Sequence, residues 1–287
     1  MTASEPLEAE CGGGPRGAYG LRITGVADAR ATLVDAHRQW PQLHIGVEEG
    51  DPPLRREHIT DDRAEIILKT GGRLHLVRDP AIARYEVPRQ LSDDELVHPF
   101  LAPAAAMMAH WLGRSSFHAG AFVSDGGAWA MIGDREAGKS SMLAHLAGHG
   151  HEIVADDILV VEDGKVYAGP RSIDLRRDTA DRLGVGTGLG VVGTRQRWRV
   201  ALPQLGTAAV PLRGWIFLAW TGGAEVRRLS GSECLKRLIG HIGLRRTASD
   251  PATLLQLATL PAWDFGRPRD WQLMDATAER LLSLARS

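Results

Sequence analysis

The apolar positions fall into two regimes along the chain. From Leu21 to about Pro88 they come in short runs (Leu21–Val26, Leu43–Val47, Glu65–Lys69 and Arg73–Val77), punctuated by Gly50–Pro53, Gly71-Gly72 and Asp79-Pro80. Alternation in Ala64–Leu68 and Arg73–Val77, split by Thr-Gly-Gly, predicts a β-hairpin. One helix is expected near Ala27–Gln39, in an otherwise β-rich stretch. Residues 1–19, rich in Gly, Pro and acids, are expected to be a flexible arm. Ser92 followed by Asp93, Asp94 and Glu95 is a helix-start pattern, a capping hydroxyl with acids in the first turn. That helix should run through Met107–Leu112, with Pro99 and Pro103 as points where it can break.

Beyond it, His118–Val123 and Ala128–Ile132 flank Ser-Asp-Gly-Gly and predict a second hairpin, which leads into a Gly-rich turn. A helix is expected at Ser140–Leu146, then strands at Glu152–Val161 and Lys165–Ala168. Further strands are expected at Arg197–Leu202 and Trp215–Trp220, and helices at Gly231–Gly240, Pro251–Leu260 and Ala276–Ala285. The expected division is thus an arm (1–19), a β-rich region (20–95) and an α/β domain with a helical C-terminal part (96–287).

Composition narrows the function classes. Lys+Arg 34 against Asp+Glu 35 gives a net charge of -1 over 287 residues, without the basic excess of a protein that coats nucleic acid or an anionic membrane. Isolated pairs such as Arg227-Arg228 and Arg245-Arg246 read as solvated surface, and the eight tryptophans as core rather than base-stacking residues. Cys11 and Cys234 alone make neither a disulfide scaffold nor a cysteine zinc site. No apolar run reaches membrane-spanning length, and the N-terminus lacks the pattern of a signal peptide. A cytoplasmic protein is expected.

The chemistry concentrates in Gly133-Asp134-Arg135-Glu136-Ala137-Gly138-Lys139-Ser140, which fits G-x-x-x-x-G-K-[ST]; Ser141 follows. Backbone amides of such a loop cradle phosphate oxygens, the lysine reaches the β/γ phosphates and the hydroxyl ligates Mg²⁺. Lys139 is one of only four lysines, a predicted strand precedes the loop, and a predicted helix follows it. Shortly after comes Gly150-His151-Glu152-Ile153-Val154-Ala155-Asp156-Asp157, an apolar strand ending in two carboxylates. His149 and His151 beside those acids would also suit a zinc ion, but the phosphate loop accounts for the acids better.

This order of segments resembles the HPr kinase/phosphorylase family. Ser116-Phe117-His118-Ala119-Gly120 is similar to its histidine-glycine segment, and Ile173-Asp174-Leu175-Arg176 to its acidic-x-Arg segment. The resemblance covers about residues 115–178. It implies a P-loop core of the HPr kinase/phosphoenolpyruvate carboxykinase type, a mixed sheet with flanking helices, preceded here by the β-rich region. It also implies ATP and Mg²⁺ as cofactors and transfer of the γ-phosphoryl group to a serine of a peptide or small protein. Gly169–Arg176 and Arg197–Pro203 look closer to a branch that phosphorylates lasso-type precursor peptides. A carrier-protein kinase/phosphorylase and a nucleotide-binding scaffold without transfer activity are the alternatives. A homo-oligomer is compatible with the family.

By that resemblance, Asp156 accepts the acceptor hydroxyl's proton, Lys139 contacts the β/γ phosphates, and Ser140, Asp157 and Asp174 hold the metal. Residues 133–141 bind the nucleotide. His118 orients the acceptor or the γ-phosphate, or is simply a satisfied core histidine. Arg176 and Arg171 neutralise charge, and Arg197 and Arg199 share a strand face. The chain departs from the pattern in three places. Glu136 stands where family loops carry glycine, Asp174 where carrier-protein kinases carry glutamate, and their longer Gly-rich signature is missing.

Overall fold

The computed structural model describes residues 14–51, 56–69, 71–244 and 250–286. The first unit is an eight-stranded sheet. Its strands are β1 (Arg16–Ala18), β2 (Leu21–Thr24), β3 (Val34–Asp35), β4 (Gln42–Glu49), β5 (His58–Ile59), β6 (Arg63–Ile67), β7 (Arg73–Val77) and β8 (Ile82–Val87). They lie in the order β3-β1-β2-β4-β8-β7-β6-β5. The expected hairpin forms as β6–β7, with Ala64 opposite Leu76 and Ile66 opposite Leu74. Alternate residues Ala64, Leu74, Leu76, Ala83 and Tyr85 are buried, so one face of the sheet makes core.

Two expectations for this region change. Residues 16–18 are not part of a free arm: β1 pairs with β2 and β3, and Arg16 ion-pairs with Asp35. Residues 1–13 lie outside the described residues. The helix expected over Ala27–Gln39 is a 3-10 turn at Ala27–Thr32. Val34 and Asp35 leave it to pair with Gly17 and Arg16, because strand pairing here satisfies the backbone and still buries Leu33 and Val34.

Ser92 caps as its neighbours suggest. Its hydroxyl accepts from Glu95 N, and the Glu95 carboxylate accepts from Ser92 N. The helical path is α1 (Asp93–Glu95), a wide π-type turn over Leu96–Phe100, then α2 (Leu101–Trp111). His98 inside that turn is extended (φ −152°, ψ 118°), since the ring of Pro99 disfavours the helical conformation of the residue before it. Nine of the 11 residues of α2 are buried, so this helix is apolar all round and packs in the core with the first sheet.

The second unit begins with β9 (Ser115–Phe117), β10 (Ala119–Ser124), β11 (Gly127–Ile132), α3 (Lys139–Gly148), β12 (Ile153–Ala155), β13 (Leu159–Glu162) and β14 (Lys165–Tyr167). A small three-stranded sheet follows, from β15 (Ser172–Leu175), β16 (Thr187–Val192) and β17 (Arg195–Ala201), with α4 (Arg177–Leu183) between β15 and β16. The chain ends in β18 (Ala209–Trp220), β19 (Glu225–Arg228), α5 (Gly231–Gly240), α6 (Pro251–Ala258), β20 (Ala262–Arg267) and α7 (Met274–Ala285). The main sheet runs β12-β10-β11-β18-β14-β13-β9, with β20 on the second half of β18 and β19 beyond it. It is mixed: β11, β18 and β20 are parallel neighbours, whereas β10–β11 and β10–β12 are antiparallel.

Alternation along β11 and β18 feeds two helical layers. Ala130, Ile132, Trp215 and Phe217 pack with Cys234, Leu238, Leu254 and Leu257 of α5 and α6. Met131, Ile216 and Leu218 pack on the other face with Leu143, Leu146 and Leu281 of α3 and α7. The architecture is a mixed α/β one with flanking helices. Among the described residues, no helix is long and apolar enough to cross a membrane.

Arg227 is tied to Glu233 and Asp264, Arg228 lies over Trp263, and Arg245-Arg246 fall outside the described residues. Trp215 is fully buried, as a core tryptophan should be, and Trp220 is 40% exposed. Cys234 is buried and unpaired; Cys11 lies outside the described residues.

Candidate functional site

The strand β11 ends at Ile132, and residues 133–138 turn into α3. Glu136 (φ 70°) and Gly138 (φ 80°) are left-handed, a pair of reversals that curls the loop back on itself. Gly138 must be glycine: a Cβ there would lie 2.8 Å from Arg267 Nη2 and 3.0 Å from the Trp220 ring. It occupies the N-cap of α3 and carries no side chain to satisfy the helix's first amides. The open N-terminus is suited to an anion.

Lys139, 8% exposed, donates from Nζ to Gly133 O (2.7 Å) and Asp134 O (3.3 Å). It folds over the loop rather than toward solvent. Burial lowers its pKa, while Asp156, Asp157 and Asp134 pull it back up. Ser140 Oγ donates to Asp156 Oδ1 at 3.1 Å.

The strand expected to continue from Glu152 to Val161 stops at Ala155. Asp157 turns left-handed (φ 72°), a conformation aspartate tolerates better than most residues, and β13 begins at Leu159. The two acids therefore sit on a turn and are not forced to opposite faces of a strand. Asp156 is 4% exposed, and burial, then the adjacent Asp157, pushes its pKa up against the opposing pull of His98 and the Ser140 hydrogen bond. Asp157 faces His118, with Oδ1 at 3.4 Å from Nδ1. Burial holds the His118 imidazole below its ordinary pKa despite Asp157. Gly120, two residues on, lets α3 and β12 approach: its Cβ would meet Leu143 Cδ1 at 2.4 Å and Ala155 O at 3.1 Å.

The other sequence candidates divide. Asp174 lines the same cleft, but its side chain is fully buried and gripped by Arg199, Nε to Oδ1 at 2.8 Å and Nη2 to Oδ2 at 3.1 Å. Arg199 also donates to His98 O (2.6 Å) and Asp94 O (3.1 Å). The pair thus joins the three-stranded sheet to the π-type turn. Arg171 does not reach the cleft. It is buried and donates to Ile153 O (2.8 Å) and Pro203 O (2.9 Å), so it braces backbone instead of neutralising a ligand. Arg176 does reach the loop, where it pairs with Glu136. The Glu136 carboxylate is thereby turned toward Arg176 and held below its usual pKa by that bond and by the charges of Arg176 and Arg195. Arg197 lines the cleft, with a buried Nε that lacks a partner.

Two residues of the site carry no motif. Trp220 Nε1 donates to Glu136 O at 3.0 Å, and the Arg267 guanidinium stacks 4.2 Å from the Trp220 ring centroid. Arg267 Nη2 donates to Ala137 O at 2.6 Å, while its buried Nη1 has no partner. Desolvation lowers the Arg267 pKa to about 10. The topology explains both positions: Trp220 and Arg267 are paired at the carboxyl ends of β18 and β20, beside the end of β11. Clefts at the carboxyl ends of parallel strands are the usual ligand positions in α/β sheets.

The loop, the two acids, His118, Trp220 and Arg267 border one cleft of about 1050 Å³. Residues 133–141, Asp156, Asp157, Asp174 and Arg176 line it, with Ile66, Ile67 and Leu68 from the first sheet and Pro99 and Phe100 from the π-type turn. The β-rich region thereby contributes an apolar wall to the site. His149 and His151 do not join the acids there. His149 lies instead beside His145 and Asp275 at the far end of α3.

No family model and no curated protein matches the chain. Among solved structures, the HPr(Ser) kinase/phosphatase from Coxiella burnetii is similar to it at 14% identity over 60% of this chain and 93% of that one, with a TM-score of 0.31. A likeness that weak carries no argument about this chain, and function must be read from the site.

Proposed function

We propose that this protein is an ATP- and magnesium-dependent kinase that transfers the γ-phosphoryl group to a serine hydroxyl of a peptide or small protein. One observation carries the reading: a glycine-capped, open helix N-terminus beside a buried lysine, with a hydroxyl and two carboxylates converging on it. Phosphoryl transfer asks for positioning and charge neutralisation, and these groups supply both.

The donor set fits magnesium. Ser140 Oγ and Asp156 Oδ1 are hard oxygen donors 3.1 Å apart, and a divalent ion would relieve the crowding of Asp156 by Asp157. Bound there, the ion would neutralise the phosphate oxygens as charge develops on them. Asp174 is a poor partner for it, because both its oxygens already serve Arg199. The resemblance gave the proton to Asp156 and the metal to Asp157; we infer the reverse. Asp156 is bonded to the loop serine, and Asp157 with His118 faces the open cleft, where an acceptor hydroxyl would arrive.

Lys139 exchanges its two carbonyl partners for β/γ phosphate oxygens. The acceptor oxygen attacks the γ-phosphorus, the bond to the bridging oxygen breaks, and ADP leaves. The hydroxyl proton passes to the Asp157–His118 pair. Arg176 at the rim steadies the loop through Glu136 and offers charge to the transferred group. The apolar wall of Ile66, Ile67 and Leu68 suits an acceptor with nonpolar residues near its serine. A ribosomally made, lasso-type precursor peptide is the preferred acceptor class, on sequence resemblance alone.

The test is incubation of purified protein with Mg-ATP and candidate peptides, read by mass spectrometry. A gain of one phosphate on a peptide serine is expected. Phosphate found only on HPr would reassign the acceptor to a carrier protein. Nucleotide binding without transfer to any acceptor would leave a scaffold.

A further inference from the structure

His145, in the last turn of α3, and His149, its C-cap, stand four residues apart, so both project from one side of the helix end. Asp275, in the first turn of α7, meets them across the helix interface. None of the three takes part in the cleft chemistry. We propose that His145, His149 and Asp275 form a binding site for a zinc-class divalent transition-metal ion that clips α3 to α7.

The spacing supports this assignment. His145 Nε2 and Asp275 Oδ1 are 3.3 Å apart. Two ligands on tetrahedral zinc, each at about 2.0–2.2 Å from the ion, are separated by about 3.3–3.5 Å. Ligand atoms of all three residues lie within 4.8 Å of one another, so closure needs only a side-chain adjustment by the exposed His149. The imidazoles already lie alongside each other, with centroids 4.3 Å apart.

The tautomer is also set. His149 Nδ1 lies 2.8 Å from His145 O. A carbonyl can only accept, so Nδ1 carries a proton and Nε2 is the ring nitrogen left to ligate a metal. A backbone carbonyl bonded to the second ring nitrogen is the usual support of a metal-binding histidine. Two imidazoles and one carboxylate favour zinc, nickel or copper over magnesium or calcium, which take oxygen donors. Water would complete the tetrahedron. Because α3 begins at Lys139 and Ser140, an ion at its far end would hold the helix that carries the nucleotide loop.

The experiment uses the full chain, stripped with chelator and titrated calorimetrically with zinc chloride in excess magnesium, so that the cleft is saturated with a hard ion. Cobalt(II) serves as the spectroscopic probe. Binding of one zinc equivalent is expected, together with the visible absorption of tetrahedral cobalt. His149→Ala and Asp275→Asn, both at exposed positions, should each weaken zinc at least about tenfold and abolish the cobalt bands, with circular dichroism unchanged. No zinc uptake by the wild type would overturn the site, as would uptake of equal affinity in both variants. In either case His145 and Asp275 form only a close polar contact between the two helices.

Discussion

The pair Asp174–Arg199 decides whether the acid after β15 is a metal ligand or a structural anchor. Its geometry predicts an anchor. The carboxylate is fully buried and held bidentately at 2.8 and 3.1 Å, and Arg199 is only 10% exposed at its side chain. Arg199→Met keeps most of the apolar stem but takes the guanidinium from the buried Asp174 carboxylate, leaving it beside His98 Nε2 at 3.7 Å. It also removes the donors to His98 O and Asp94 O. Breaking such a pair costs about 3–5 kcal/mol. At about 2–4 °C per kcal/mol for a chain of this class, the melting temperature should fall by roughly 6–20 °C.

Urea denaturation is the assay, with the slope checked so that a midpoint shift reports stability alone. Adding Asp174→Asn to Arg199→Met should recover part of the loss, because the buried carboxylate charge is then gone. A positive coupling of at least about 1 kcal/mol is expected from the double-mutant cycle. If Arg199→Met costs less than about 1 kcal/mol, and Asp174→Asn abolishes magnesium binding without affecting stability, the anchor reading is refuted and Asp174 returns to the metal.

Three further outcomes follow from the same geometry. Asp156 has its folded-state pKa raised by burial and by Asp157; the folded protein therefore holds a proton that the unfolded chain has released, and stability declines as pH rises from the ordinary carboxylate range through the raised value. Asp156→Asn should thus melt higher than wild type at pH 7.5 without ligand, with the difference vanishing below about pH 4, while turnover falls at least about 100-fold; an unchanged or lower melting temperature at pH 7.5 contradicts this. Turnover should fall on acidification through the His118 pKa, held below the ordinary value of about 6.5, and a kcat profile in His118→Gln that kept the same limb would exclude His118 as its source. Glu136→Gly should change nucleotide affinity by less than about threefold, because the carboxylate pairs with Arg176 at the exposed rim and such pairs are weak; a tenfold gain would mean that the native loop is compromised.

The sequence made local features legible where one short segment determines its own geometry. The β6–β7 hairpin, the Ser92 capping box and the loop 133–140 each follow from residue types within a few positions. Glu136 is instructive: it stands where the resembling family places glycine, and its backbone is left-handed. The features that escaped depend on distant partners. Residues 33–35 left a helical pattern because β1 offered them a strand edge. Asp174 is a sensible ligand in its own segment, and only the return of β17 brings Arg199 onto it. Trp220 and Arg267 lie 47 positions apart without a motif, and reach the loop because β18 and β20 run parallel to β11. The placement of the first sheet's Ile66–Leu68 against the cleft likewise had no local sign.

The most direct measurement of the central claim is calorimetric titration of the full chain with a non-hydrolysable ATP analogue in magnesium, alongside Lys139→Ala. One binding site is expected in the wild type, dependent on magnesium. The variant should lose affinity by at least about 100-fold, because the buried ammonium is the group placed to meet the phosphates. Absence of heat in the wild type, or equal affinity in the variant, would contradict a phosphate site at this loop and the kinase reading built on it.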